Sequence, residues 1–120
     1  MLRSLFGQRP AAAGRPQIKQ LNAQEFKALM AEDDSLFFID VRTPGEYEHD
    51  GHIAGSRLIP LSVLPARLQE IPKDRTVVCV CRSGARSYTA CELLQKQGYE
   101  NVINLSGGMM GWKWAGLPHN

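Results

Sequence analysis

The chain has 120 residues, 43% of them apolar, with 14 basic and 12 acidic side chains and a net charge of +2. That is material for one domain with a single core, and its longest apolar stretch is far too short to span a bilayer. The charge is unevenly placed: Arg3, Arg9, Arg15 and Lys19 stand together with no acid among them, so the remaining body is near neutral and gives no case for nucleic acid.

Three cysteines, Cys79, Cys81 and Cys91, cannot all pair within one chain. A chain of this size needs no disulfide staples, so a reduced, cytoplasmic setting is expected. Residues 1–16 contain Pro10-Ala11-Ala12-Ala13-Gly14-Arg15-Pro16 and read as a flexible basic leader, with too small an apolar core for a secretory signal. The domain proper is expected over 17–120.

Gln17–Leu21 alternates weakly and predicts a short edge strand. Asn22 followed by Glu25 has the capping-box spacing and opens a helix that buries Phe26, Leu29 and Met30 before the acidic turn Glu32-Asp33-Asp34. Leu36–Ile39 is a continuous apolar run, as in a strand covered on both faces, and it delivers Asp40, Val41 and Arg42 at its C-terminal end. Thr43 as cap and Pro44 at the first position start a short helix through Tyr47. Within the turn Gly51-His52-Ile53-Ala54-Gly55, His52 is expected to bond to local backbone. Arg57–Ile59 predicts another strand. Ser62 is a candidate cap for a helix with Leu64 and Leu68 facing inward, ending before Pro72.

Thr76–Val80 is a short, β-branched apolar run and reads as a buried strand. It leads into the turn Cys81-Arg82-Ser83-Gly84-Ala85-Arg86, and a helical pattern follows from Ser87. There Ala90, Leu93 and Leu94 share the inward face and Gly98 closes the C-terminus. Asn101–Leu105 predicts a last strand, Ser106-Gly107-Gly108 a tight turn, and Met109–Trp114 a helix. Met109, Met110, Trp112 and Trp114 are expected to form a closing core cluster.

Strands separated by helical segments predict an α/β fold: a mainly parallel central sheet of about five strands, with helices on both faces. Ligands of such sheets sit beyond the carboxyl ends of the strands, which gathers Asp40, Arg42, Cys81 and Ser106-Gly107 at one end. Cys81 stands at a strand tip facing the start of a helix, where orphan backbone N–H groups and nearby guanidinium groups favour thiolate over thiol. It is the candidate nucleophile. Arg42, Arg82 and Arg86 are candidate rim charges for an anion, and Asp40 is expected to orient Arg42 or anchor loop N–H groups. Cys79 and Cys91 read as packing residues.

Three motifs resemble those of rhodanese-like domains. Asp40-Val41-Arg42, Glu46-Tyr47 and Gly51-His52-Ile53-Ala54-Gly55 resemble the first signature, with one residue inserted around Glu48-His49-Asp50. Cys81-Arg82-Ser83-Gly84-Ala85-Arg86 resembles the active-site loop. Leu105-Ser106-Gly107-Gly108-Met109, with Trp112 and Ala115-Gly116-Leu117-Pro118, resembles the C-terminal motif. The resemblance implies a single-domain sulfurtransferase of the thiosulfate type. Cys81 would take a sulfane sulfur as a persulfide and pass it to a thiophilic acceptor such as cyanide or a thiol, including a thiol protein. Loop N–H groups of Ser83, Gly84 and Ala85 would hold the persulfide, while Arg82 and Arg86 would hold the sulfonate end. It implies no metal or organic cofactor. Alternatives from other classes are a persulfide carrier that does not turn over, a regulatory binding module, and a phosphatase or arsenate reductase. The last uses Cys-x5-Arg, whereas here the position after five residues is Ser87.

Overall fold

The computed structural model describes residues 17–120, so the leader expected over residues 1–16 lies outside the described residues. In chain order the elements are β1 (Lys19–Leu21), α1 (Ala23–Glu32), β2 (Phe37–Asp40), α2 (Pro44–His49), β3 (Arg57–Leu58), a 3-10 segment (Leu61–Glu70), β4 (Val77–Val80), α3 (Ala85–Lys96), β5 (Val102–Leu105) and α4 (Gly108–Trp114). The strands form one sheet in the order β1-β5-β4-β2-β3, and every pairing is parallel.

The central strand β4 is buried at all four positions, as a strand covered on both faces must be. Its side chains alternate. Val77 and Cys79, with Cys81 just beyond, face α3 and the 3-10 segment among Ile39, Val41, Leu64 and Leu94. Val78 and Val80 face α1 and α4, where Phe26, Leu105, Met109 and Trp112 complete the second core. Register fixes where the strands end. Ile39 pairs with Cys79 and Asp40 with Val80, so β2 and β4 end level and release Val41, Arg42 and Cys81 side by side.

Both short helices start as the sequence predicts. Asn22 and Glu25 form a reciprocal capping box, and so do Thr43 and Glu46, with Pro44 in the first turn. Strand ends differ from the predicted ones by one or two positions. Two expectations are corrected. Residues 61–70 form a 3-10 segment with a break at Arg67 instead of an α-helix, and Ser62 makes no cap. Pro65 explains this, since it lacks an N–H and its ring crowds the carbonyl four residues earlier. Leu64 still reaches the core. The second correction concerns α4. Met109 and Trp112 are buried, but Met110 is 52% and Trp114 92% exposed, because a seven-residue helix lays only one stripe on the sheet. Among the described residues, no helix is long and apolar enough to cross a membrane.

Candidate active site

Strand β4 ends at Val80, one residue before Cys81, and the chain turns through Gly84 at φ +102 before entering α3. That backbone conformation favours glycine. A glycine at the N-cap brings no side-chain acceptor, so the first N–H groups of α3 need another partner. The sulfur of Cys81 fills that place. Gly84 N–H donates to Sγ at 3.1 Å, and the Ser87 hydroxyl lies 3.3 Å away. Cys81 is fully buried. That burial is the strongest single influence on the thiol and pushes it up. The Ser87 hydroxyl and the N–H groups of Ser87, Gly84 and Ser83 together outweigh it, holding Cys81 below the ordinary thiol range.

The loop is held from below by α4. Met109 N–H donates to the Cys81 carbonyl at 2.8 Å and Met110 N–H to that of Arg82 at 3.0 Å. This approach requires Gly108: a Cβ there would lie 2.5 Å from both carbonyl oxygens, and its φ is +56. A buried polar chain supports the other side. Ser87 Oγ lies 2.5 Å from Asn104 Oδ1, and Asn104 Nδ2 donates to the Gly84 carbonyl at 3.1 Å and to Gln20 Oε1 at 2.9 Å.

The three candidate rim arginines sit in three different settings. Arg42 is only 1% exposed, yet it lies between the two clefts beside the loop and lines both of them. Its Nε and Nη2 grip the Asp40 carboxylate at 2.8–3.1 Å and Nη2 also donates to the Gly51 carbonyl at 2.8 Å. Asp40 thus orients Arg42 and accepts its backbone N–H, as the sequence suggests for that pair. Arg86, on the first turn of α3, is engaged by Glu46 of α2 through two bonds of 2.7 and 2.8 Å. The Arg86 guanidinium, first of all, holds the Glu46 carboxyl at about 2, against an ordinary value of 4.5. Arg82 is exposed and in no ion pair among the described residues. Ser83 and Ala85 are exposed on the loop's outer side, whereas Gly84 is buried against the β5–α4 turn. Clefts of about 310 Å³ open on either side, one lined by Val41, Arg42, Pro60, Leu61 and Arg86, the other by Arg42, Arg82, Met109, Met110 and Lys113.

Cys79 and Cys91 are buried and unpaired by disulfide, as packing residues are. The hydrogen bond between them, and then burial, push the Cys79 thiol well above its ordinary range. His52 stacks on Tyr47 at 3.7 Å and its Nδ1 bonds to the Tyr47 carbonyl at 2.8 Å.

The comparisons with known proteins agree with this architecture. The profile of the rhodanese-like domain matches residues 22–115. The chain belongs to the rhodanese-like family. A protein of Allochromatium vinosum named sulfurtransferase is 42% identical over 101 residues, covering 84% of this chain and 94% of that one. The crystal structure of a rhodanese-like domain protein from Staphylococcus aureus superimposes with a TM-score of 0.73 at 32% identity, covering 79% of this chain and 91% of that one. A NAD-dependent persulfide reductase from A. fulgidus matches with a TM-score of 0.65 at 33% identity, over 79% of this chain and 16% of its own.

Within this rhodanese-like domain, reading the sequence alone missed Ser87, Asn104 and the engagement of Arg86 by Glu46. Asn104 left a signal, since an amide inside Val102-Ile103-Asn104-Leu105 is a polar group in a strand that is otherwise apolar. The pairing of Glu46 left none: residues 46 and 86 meet only because α2 and α3 start at the same end of the sheet.

The two ion pairs differ in burial and therefore in worth. Removing one partner of a buried, hydrogen-bonded pair leaves the other charge uncompensated, so Arg42→Ala is expected to lower stability by about 3–5 kcal/mol in denaturant unfolding. The Glu46–Arg86 pair is partly solvated, so Glu46→Gln is expected to cost about 1 kcal/mol or below at neutral pH. Because the Glu46 carboxyl is depressed in the fold, its contribution is fully present above 4.5 and lost as pH falls through about 2. Urea unfolding of parent and Glu46→Gln should give a constant difference above 4.5 and converging curves below it.

Proposed function

We propose that this chain is a sulfurtransferase that carries a sulfane sulfur on Cys81 as a persulfide. The observation that carries this reading is the convergence of polar hydrogens from Gly84, Ser83 and Ser87 on a single buried sulfur. Ionisation of the thiol supplies the nucleophile that the first step requires. Cys81 Sγ⁻ attacks the outer sulfur of thiosulfate, a new S–S bond forms, the old S–S bond breaks, and sulfite leaves with the electron pair. A thiol or cyanide then attacks the outer sulfur, and Cys81 departs as thiolate. Loop N–H groups are oriented before either step, so they stabilise anionic sulfur without rearrangement. The relative named sulfurtransferase and the neighbour named persulfide reductase support this class of chemistry.

The charges at the mouth bear on the donor. Arg42 and Arg86 each face a carboxylate at hydrogen-bond distance, which leaves Arg82 as the loop guanidinium free of an ion pair among the described residues. A dianion such as thiosulfate therefore has to share Arg86 with Glu46. An organic persulfide carries less charge and needs no such sharing. The loop speaks against the reading as a Cys-x5-Arg phosphatase, since the position such a loop gives to arginine is Ser87, buried against the sulfur. The complete burial of Cys81 favours a second reading, a persulfide carrier that releases its sulfur only to a docked partner. In both readings the domain works in a reduced, cytoplasmic setting.

Intact mass spectrometry after incubation with thiosulfate tests the nucleophile. The parent and Cys79→Ala should gain one sulfur, and Cys81→Ser none. Loading in Cys81→Ser, or a folded Cys79→Ala that fails to load, would refute the assignment. Turnover with cyanide separates enzyme from carrier, because a carrier loads without releasing thiocyanate. Glu46→Gln keeps an acceptor for Thr43 but frees Arg86, so KM for thiosulfate should fall several-fold in steady-state assays, with kcat little changed.

A further inference from the structure

The hydroxyl of Ser87 has one proton and two neighbours that can accept it. Cys81 Sγ lies at 3.3 Å and Asn104 Oδ1 at 2.5 Å. The amide of Asn104 cannot be reversed without loss. Its Nδ2 faces the Gly84 carbonyl, which only accepts, so Oδ1 is the atom turned to Ser87. Asn104, Ser87 and Cys81 are all buried, at 1%, 0% and 0% exposure, so water cannot take over a missing bond. When Cys81 is a neutral thiol, Ser87 donates to Asn104 and can itself accept from the S–H. When Cys81 ionises, the hydroxyl must turn to the sulfur, and Asn104 Oδ1 is left without a donor.

We propose that Asn104 competes with Cys81 for the single hydroxyl proton of Ser87, and that this competition restrains formation of the bare thiolate and favours the sulfur-loaded state. The second half rests on the sulfur-transfer reading. In a Cys81 persulfide, Sγ is bonded on both sides and the negative charge resides on the outer sulfur. Sγ then no longer demands the Ser87 proton, which returns to Asn104. The unmet acceptor exists in the empty thiolate and not in the loaded form. Asn104 is thus a positioning residue: it acts on the nucleophile through Ser87 and touches neither sulfur donor nor acceptor. The loop amides lower the thiol, and Asn104 sets a limit on how far.

The test is a thiol titration of the full chain, following ultraviolet thiolate absorbance as the difference from Cys81→Ser. An unpaired buried acceptor carries a penalty large enough to move the Asn104→Ala midpoint down by about one pH unit, or roughly tenfold more thiolate at a pH well below both midpoints. Ser87→Ala should move the midpoint up. In the Ser87→Ala background, Asn104→Ala should move it no further. At a pH above both midpoints, the ratio of loaded to empty chain at a fixed ratio of thiosulfate to sulfite should fall about tenfold in Asn104→Ala. An unchanged or raised midpoint in Asn104→Ala overturns the proposal. So does a shift that persists without Ser87, because Asn104 would then act through the Gly84 carbonyl. An unchanged loaded fraction overturns the second half. Should Asn104→Ala fail to fold, Asn104→Leu is nearly isosteric and suited to a buried strand. Failure of both assigns Asn104 a structural role only and overturns the proposal. The titration needs no sulfur donor, so a parent chain that never loads sulfur would refute the sulfur-transfer reading and leave the proton competition standing.

Discussion

A sulfur atom completing the hydrogen bonds at the start of α3 is the interaction on which the rest of this structure depends. Helix N-termini carry orphan N–H groups, and side-chain oxygens usually satisfy them. Among the other α-helix starts, α1 and α2 obtain such help from Asn22 and Thr43, and α4, which also begins at a glycine, from the carbonyls of Cys81 and Arg82. Glycine at position 84 withholds it, and Cys81 receives the donors instead. One choice of residue therefore shapes the turn, uncovers the helix end and assigns it to the thiol. The parallel sheet serves this arrangement. Its central strand carries Cys81 to the end where β2 also stops, and both faces of that strand are packed, so the sulfur's position is inherited from the core of the fold.

Charge is handled differently from the sulfur. The site end of the sheet gathers several guanidinium groups, yet two of them are matched with carboxylates at close range. Arg42 with Asp40 is a buried strut that joins the end of β2 to the Gly51 turn. Arg86 with Glu46 ties α2 to α3 across the mouth. Burial decides the character of each: the first pair is fixed by the cost of exposing an unmatched charge, the second is solvated enough to open. The field at the sulfur consequently comes mainly from backbone and hydroxyl dipoles, which are short-ranged and do not depend on salt.

Much of this was legible in the sequence because the signals are local. A β-branched run ending in cysteine, a glycine three residues on and an amphipathic helix behind it describe β4, the turn and α3 without tertiary information. The capping box at Asn22 and Glu25 is similarly self-contained. What was not legible came from contacts between distant segments. Arg86 looked free because its partner is forty positions away. The burial of Arg42 was hidden because nothing local announces that Asp40 would be buried with it. The segment 61–70 read as an α-helix from its leucines, and Pro65 overrode that spacing. In α4 the hydrophobic residues outnumbered the positions facing the sheet, which left Trp114 and Met110 outside.

The carbonyls of Cys81 and Arg82 find their donors in the amides of Met109 and Met110, nearly thirty positions later in the chain. During synthesis the cysteine leaves the ribosome well before the residues that will brace its loop. Until α4 has emerged and docked, the loop carries two unmet carbonyls and the thiol lacks its fixed surroundings. In the newborn polypeptide the bracing of the Cys81 loop is thus completed last, when α4 docks.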